Sequence, residues 1–118
     1  MKITFLGTGT SQGVPVISCQ CAVCLSSNVK DKRLRTSILI EKNDLSIAID
    51  CSPDFRQQML VAKPNKLDAI VFTHEHQDHI GGNQELKKKY GSVVVGFKGD
   101  SKRIPGIDIF LEDNQIWK

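Results

Sequence analysis

No stretch of this chain stays apolar for the ~20 residues that a membrane-spanning helix needs, and the opening MKITFLGTGTSQG meets its glycines before a secretory apolar core could form. The expectation is cytoplasmic residence. In such a reducing compartment Cys19, Cys21, Cys24 and Cys51 are expected as thiols or metal ligands rather than disulfide partners. Excess basic charge is small too. The net charge is +3, and the only dense basic runs, residues 30–35 and 87–89, read as solvated surface, so nothing argues for nucleic acid. Aromatic residues are 6% of the chain, and the single Trp117 reads as packing rather than as a platform for a base. The glycine-rich GTGTSQG lacks both the Gly-Lys-Ser/Thr ending of a phosphate loop and the spacing of a dinucleotide fingerprint. It reads as a turn whose backbone N–H groups could face an anionic substrate.

What is present fits one soluble globular domain over residues 1–118, with 40% apolar and 25% charged residues and neither a repeat nor a low-complexity linker. KITFLG reads as a strand, and residues 18–35 as a long polar loop. TSILIEKNDLSIAID reads as a β-hairpin, and PDFRQQMLVA as a helix with Ser52 as N-cap. LDAIVFT is a buried-type strand. NQELKKKY is a helix between Asn83 and Gly91, and SVVVGF is another strand. IDIFLEDNQIWK suggests a second hairpin folded at residues 112–115. Strands alternating with helices predict an α/β sheet.

All three histidines fall within THEHQDHIGG, as His74-x-His76-x-Asp78-His79. Residues two apart on an extended backbone point the same way, so His74 and His76 can address one cation, and Asp78 and His79 a second. Glu75 and Gln77 take the alternate positions and should point away. Imidazole and carboxylate suit zinc, iron(II) or manganese, and Gly81 and Gly82 permit a tight turn beside the metals. No Ser-His-Asp triad can be built, because every histidine is in the cluster. Separately, Cys19-x-Cys21-x-x-Cys24 places three soft ligands on one short loop, suited to a zinc–thiolate site or else simply a set of thiols. Cys51, at the end of an apolar run, reads as a small core residue.

THEHQDH resembles the signature of the metallo-β-lactamase superfamily. MKITFLGTGTSQGVPV, the cysteine loop, DKRLRTSILIE and IAIDCSPDFRQQML extend that resemblance, over residues 1–80, to the phosphonate-pathway cyclic phosphodiesterases. Residues 81–118 are similar instead to glyoxalase II, the hydrolase of glutathione thioesters, so a chimeric, engineered or truncated chain is one reading of the pair. The resemblance implies the N-terminal half of an αβ/βα sandwich, with His74 and His76 at a first metal and Asp78 and His79 at a second. Asp78 would also orient the nucleophile, and Asp50 would support the motif loop. It implies two zinc ions (manganese or iron as substitutes) and a small anionic substrate.

The same resemblance shows what is short. The family completes its site with further histidines and a bridging aspartate, yet no histidine follows His79, and only Asp100, Asp108 and Asp113 remain as carboxylates without a distinguishing spacing. A histidine that would complete the cysteine zinc is likewise lacking. Half a sandwich should also expose an apolar sheet face, which a homodimer or a missing C-terminal half would cover. The expected function is a phosphodiesterase-like metal-dependent hydrolase. The alternatives are a thioester hydrolase and a non-catalytic dimeric scaffold.

Overall fold

Ile38 and Ile40 alternate with Leu39, and Ile47 and Ile49 with Ala48, a period of two that suits a pleated ribbon. Asn43, at φ 52°, closes the turn between β2 (Ser37–Lys42) and β3 (Leu45–Ile49). The structure, a computed structural model, describes residues 1–80 and 83–117, and the side chains of Gln77, Asp78 and Glu85 lie outside the description. With β1 (Lys2–Gly7), β4 (Ala69–Val71), β5 (Val93–Phe97) and β6 (Ile109–Leu111), this hairpin forms a six-stranded sheet in the order β1-β2-β3-β4-β5-β6. The first two pairings are antiparallel and the last three parallel. Parallel neighbours need crossovers. α2 (Phe55–Ala62) makes the first, while α3 (Gln77–Ile80) and α4 (Asn83–Tyr90) make the second.

The two faces of the sheet differ. The row Leu39–Ala48–Ile70–Val94 is at most 1% exposed and packs with Phe55 and Met59 of α2, with Leu86 of α4 and with Ile104. That is the core. On the other face run Ile3–Ile40–Ile47–Ala69–Val93 and Phe5–Ile38–Ile49–Val71–Val95–Ile109. Ala69 and Val95 are buried among their neighbours, but Ile3 is 49% and Phe5 73% exposed, and most of the others are half-buried. The cysteine-bearing segment contains a short helix, α1 (Ala22–Leu25), and a 3-10 turn (Val29–Asp31), where the sequence suggested only loop. Among the described residues no helix is long and apolar enough to cross a membrane.

The helix after β3 begins at Phe55 with Asp54, not Ser52, as its N-cap; Ser52 lies two residues before that cap, and its Oγ accepts the Asp54 N–H at 3.1 Å. α4 ends as expected, with Gly91 at φ 65°. The C-terminal hairpin does not form as expected. β6 pairs parallel to β5, Gln115 N–H bonds Glu112 C=O in a turn, and no returning strand follows among the described residues.

The glycine-rich loop is strapped to residues 33–36 by Gly9 N–H to Leu34 C=O (2.7 Å) and Thr36 Oγ to Gly9 C=O (2.8 Å). Gly13 N–H bonds Thr10 C=O, so two of the donors expected to face a substrate serve the chain itself. A Cβ at Gly7 would sit 2.0 Å from the Arg35 carbonyl oxygen. Gly7→Ala is therefore expected to destabilise the protein by about 2 kcal/mol or more, seen as a lower urea midpoint at unchanged slope.

Candidate metal centre

Strand β3 ends at Ile49, and the chain turns at once through Asp50, which is in the left-handed region at φ 58°. Aspartate tolerates that conformation better than most residues. Asp50 N–H still bonds the Val71 carbonyl, and Ser37 Oγ donates to the Asp50 carbonyl at 2.8 Å. The buried carboxylate is thereby aimed at the loop leaving β4. There Oδ1 accepts the Thr73 N–H at 2.9 Å, Oδ2 accepts the Thr73 hydroxyl at 2.7 Å, and His79 Nδ1 lies 3.0 Å from Oδ2.

Proton positions follow from these contacts. A carboxylate only accepts, so the Thr73 hydroxyl proton points to Asp50. The Thr73 oxygen is then the acceptor for His74 Nδ1, 2.9 Å away, which assigns the proton to Nδ1 and the lone pair to Nε2. The His74 ring thus has the tautomer that a second-sphere carboxylate imposes on a metal-binding imidazole.

The three rings converge. His74 and His79 have centroids 4.0 Å apart, and His76 meets His74 edge-on at 4.7 Å. Ligand atoms of Asp50, His74 and His79 lie within 4.8 Å of one another. His76 is exposed, and its carbonyl accepts the N–H groups of His79 and Ile80, which starts α3. Asp78 lies in α3, but its side chain is outside the description, as are Gly81 and Gly82. Glu75 does point to another partner, Arg103, at 2.7 Å. Its own backbone N–H first, and then the Arg103 charge, hold its carboxyl below the usual range. Arg103 also binds the buried Asp100, so a single guanidinium ties the motif loop to the segment after β5.

Among the described carboxylates only Asp50 joins the imidazoles. Asp100 is engaged by Arg103, and Asp108 accepts from Val94 N–H and Lys87. The donor set fits a borderline divalent cation, since two imidazoles and a buried carboxylate bring ligand atoms within 4.8 Å of one another. Sequence reasoning missed Thr73, Ser37 and Arg103. Thr73 directly precedes the motif, but what it does depends on Asp50, 23 residues upstream.

The sulfurs of Cys19, Cys21 and Cys24 form a second cluster, also within 4.8 Å, with Val16 N–H on Cys24 Sγ at 3.4 Å. Three thiols converging on one point fit a thiolate-bound ion. The Cys24 backbone N–H, followed by the Cys19 and Cys24 thiols, lowers the Cys21 pKa to about 7. Cys51 lies in the core, donates its N–H to the His79 carbonyl, and has its thiol pushed up by burial. In metal-free protein Cys21 should therefore be alkylated first by iodoacetamide. Its rate should fall as pH drops through about 7, while Cys51 stays unmodified until unfolding, as read by peptide mass spectrometry.

The sequence profile of the metallo-beta-lactamase superfamily matches residues 31–109. A hydroxyacylglutathione hydrolase of Pelagibacter ubique is 40% identical over 98 residues, 80% of this chain and 38% of that protein. A stretch of an octanoyltransferase of Porphyromonas gingivalis is 53% identical over 88 residues, 74% of this chain but 18% of that protein. Among solved structures, a diphosphatase of the PhnP family superposes with a TM-score of 0.82 at 35% identity, covering 98% of this chain and 52% of that one. Zinc-bound PqqB of Methylobacterium extorquens has the same fold at 24% identity (TM-score 0.73), over 86% of this chain and 42% of that one. The chain thus spans about half, or less, of the length of these relatives. Neither likeness stops at residue 80, because the hydroxyacylglutathione hydrolase match runs over 98 residues and the diphosphatase superposition over nearly the whole chain.

Proposed function

Because the chain belongs to the metallo-β-lactamase superfamily, we propose that it is the ligand-bearing N-terminal half of a metal-dependent hydrolase acting on phosphodiester-type anions. The observation that carries this reading is the relay from Asp50 through Thr73 to His74, with His79 on the same carboxylate, because it prepares imidazoles to ligate. In this reading His74 and His76 serve one ion, Asp78 and His79 a second, and Cys19, Cys21 and Cys24 a structural zinc. When bound, zinc, manganese or iron supplies a Lewis acid and a water of lowered pKa. Asp50 and Thr73 keep the His74 ring in its tautomer, and Arg103 fixes the loop through Glu75. The phosphodiester class is favoured by the diphosphatase relative, which superposes along almost the entire chain.

The second reading is thioester hydrolysis, favoured by the hydroxyacylglutathione hydrolase relative. A recombined chain would account for both likenesses, and a full-length natural relative with the same order of segments would remove that explanation. Purified protein loaded with zinc or manganese should turn over bis(p-nitrophenyl) phosphate faster than S-lactoylglutathione. The reverse preference would move the assignment to the thioesterase. Turnover of neither, together with equal metal content in native protein and His76→Ala, would leave a non-catalytic scaffold.

A further inference from the structure

We propose that the groove between the C-terminal ends of α2 and α4 binds a small amphipathic anion, at a site sharing no residue with the histidine centre. The groove holds about 280 Å³. Its floor is apolar, built from Phe55, Met59, Leu67 and Leu86, of which the first three are at most 9% exposed. Leu60 and Tyr90 stand at its lip, 56% and 45% exposed, so apolar surface continues outward from the cavity. Lys63, in the left-handed region at φ 48°, ends α2, and Pro64 turns the chain along the groove wall.

The rim is cationic: Arg56, Lys63, Lys66 and Lys89 all line it, and among the described residues no carboxylate does. Lys66 is already neutralised by Asp68 at 3.2 Å and Asp44 at 3.4 Å. Among the described residues no carboxylate pairs with Arg56, Lys63 or Lys89, and Lys89 Nζ lies 5.3 Å from the Tyr90 ring centroid. Solvated lysines are ordinary on a helix. Arg56, Lys63 and Lys89 together around an apolar concavity offer two complementary contacts at once: a positive edge for a headgroup and a dry floor for its body. The volume equals that of about nine waters at about 30 Å³ each, so the body it fits has about eight to ten methylene-sized groups. That is too little for a folded partner and suits a free medium-chain carboxylate or sulfonate.

Decanoate, kept below its micelle concentration, is the probe, titrated into the isotope-labelled full chain and followed by amide NMR. Decyltrimethylammonium and acetate are the controls. Saturable shifts confined to residues 55–67 and 86–90 are expected, with decanoate binding at least tenfold more tightly than either control. Lys63→Glu/Lys89→Glu should weaken it at least tenfold while the spectrum stays folded, and Lys63→Gln/Lys89→Gln should fall between. Equal binding of the cationic amphiphile, shifts on the open sheet face instead, or undiminished affinity in the charge-reversed variant would each overturn the proposal. Binding to anionic vesicles but not to the free carboxylate would overturn it as well. None of these readouts depends on metal or turnover, so the hydrolase reading can fail without it.

Discussion

Asp50→Asn is expected to weaken metal binding by about 10- to 100-fold while leaving the fold intact. Asparagine matches aspartate in size, and its carbonyl oxygen can still accept the Thr73 N–H that Oδ1 now takes at 2.9 Å. The other position is the difficulty. Oδ2 accepts the Thr73 hydroxyl at 2.7 Å and lies 3.0 Å from His79 Nδ1, and an amide NH₂ there would face both of them. The cheapest relief is for the hydroxyl to rotate toward His74 Nδ1 and for that imidazole to shift its proton to Nε2. That removes the lone pair at Nε2 without deleting a ligand. Losing charge-assisted hydrogen bonds should also lower stability by about 1.5–3 kcal/mol. Chelator competition on native protein, Asp50→Asn and His76→Ala would measure the affinities, and nitrogen NMR of the imidazoles would report the tautomers. Unchanged affinity in Asp50→Asn would sink the relay. Reduced affinity with unchanged tautomers would make Asp50 a direct ligand instead.

The difference between a ligand and its support also marks how far the sequence could be read. His74, His76 and His79 are neighbours on the chain, so their spacing was visible; the His74 ring lies against both others, but the ligand atoms that cluster are those of Asp50, His74 and His79 rather than the expected pairs. The support was invisible because it is nonlocal. Asp50 reaches Thr73 from 23 residues away and Arg103 reaches Glu75 from 28, distances over which no periodicity runs. Resemblance alone pointed to Asp50, and nothing pointed to Thr73. The same division holds for the fold. The β2–β3 hairpin, α2 and α4 were legible because a polar turn between apolar runs, Pro53 ahead of the helix and the terminal Gly91 act within a few residues. The C-terminal hairpin was misread because residues 112–115 do make the expected turn, yet Ile109–Leu111 finds its partner in β5 across the sheet, a choice set by tertiary packing rather than by the turn. The apolar strands gave no warning of which face would be covered, since both faces of this sheet are apolar along nearly every strand.

That uncovered face carries the second large effect. We propose a second copy of this chain as its partner. The 118-residue chain is then expected to be a dimer at micromolar concentration, and Ile40→Glu to weaken association by more than a hundredfold. Ile40 stands half-buried in the row Ile3–Ile40–Ile47–Ala69–Val93, on the face opposite the core row Leu39–Ala48–Ile70–Val94. Along both rows every side chain is apolar, and strand alternation puts Lys42, at the end of β2, on the same face. A neutral face can pack against its own copy without like-charge repulsion, and two sheets so packed would lie about 10 Å apart. In the monomer a glutamate at position 40 would remain in water and cost little. In the dimer it would be buried without a partner, about 3 kcal/mol or more, which is over a hundredfold in Kd. If the two-fold axis runs along the strands, both histidine centres come to the same edge, because Asp50 follows β3 and His74 follows β4 at the same strand ends. A centre short of histidines in one chain would then gain imidazoles from the other. Sedimentation of native protein and Ile40→Glu, each with its metal content, decides both points. A monomeric native chain refutes the dimer. A dimer whose Ile40→Glu variant loses mass and metal together makes the centre a shared one. A variant that becomes monomeric yet keeps its metal assigns all the ligation to a single chain.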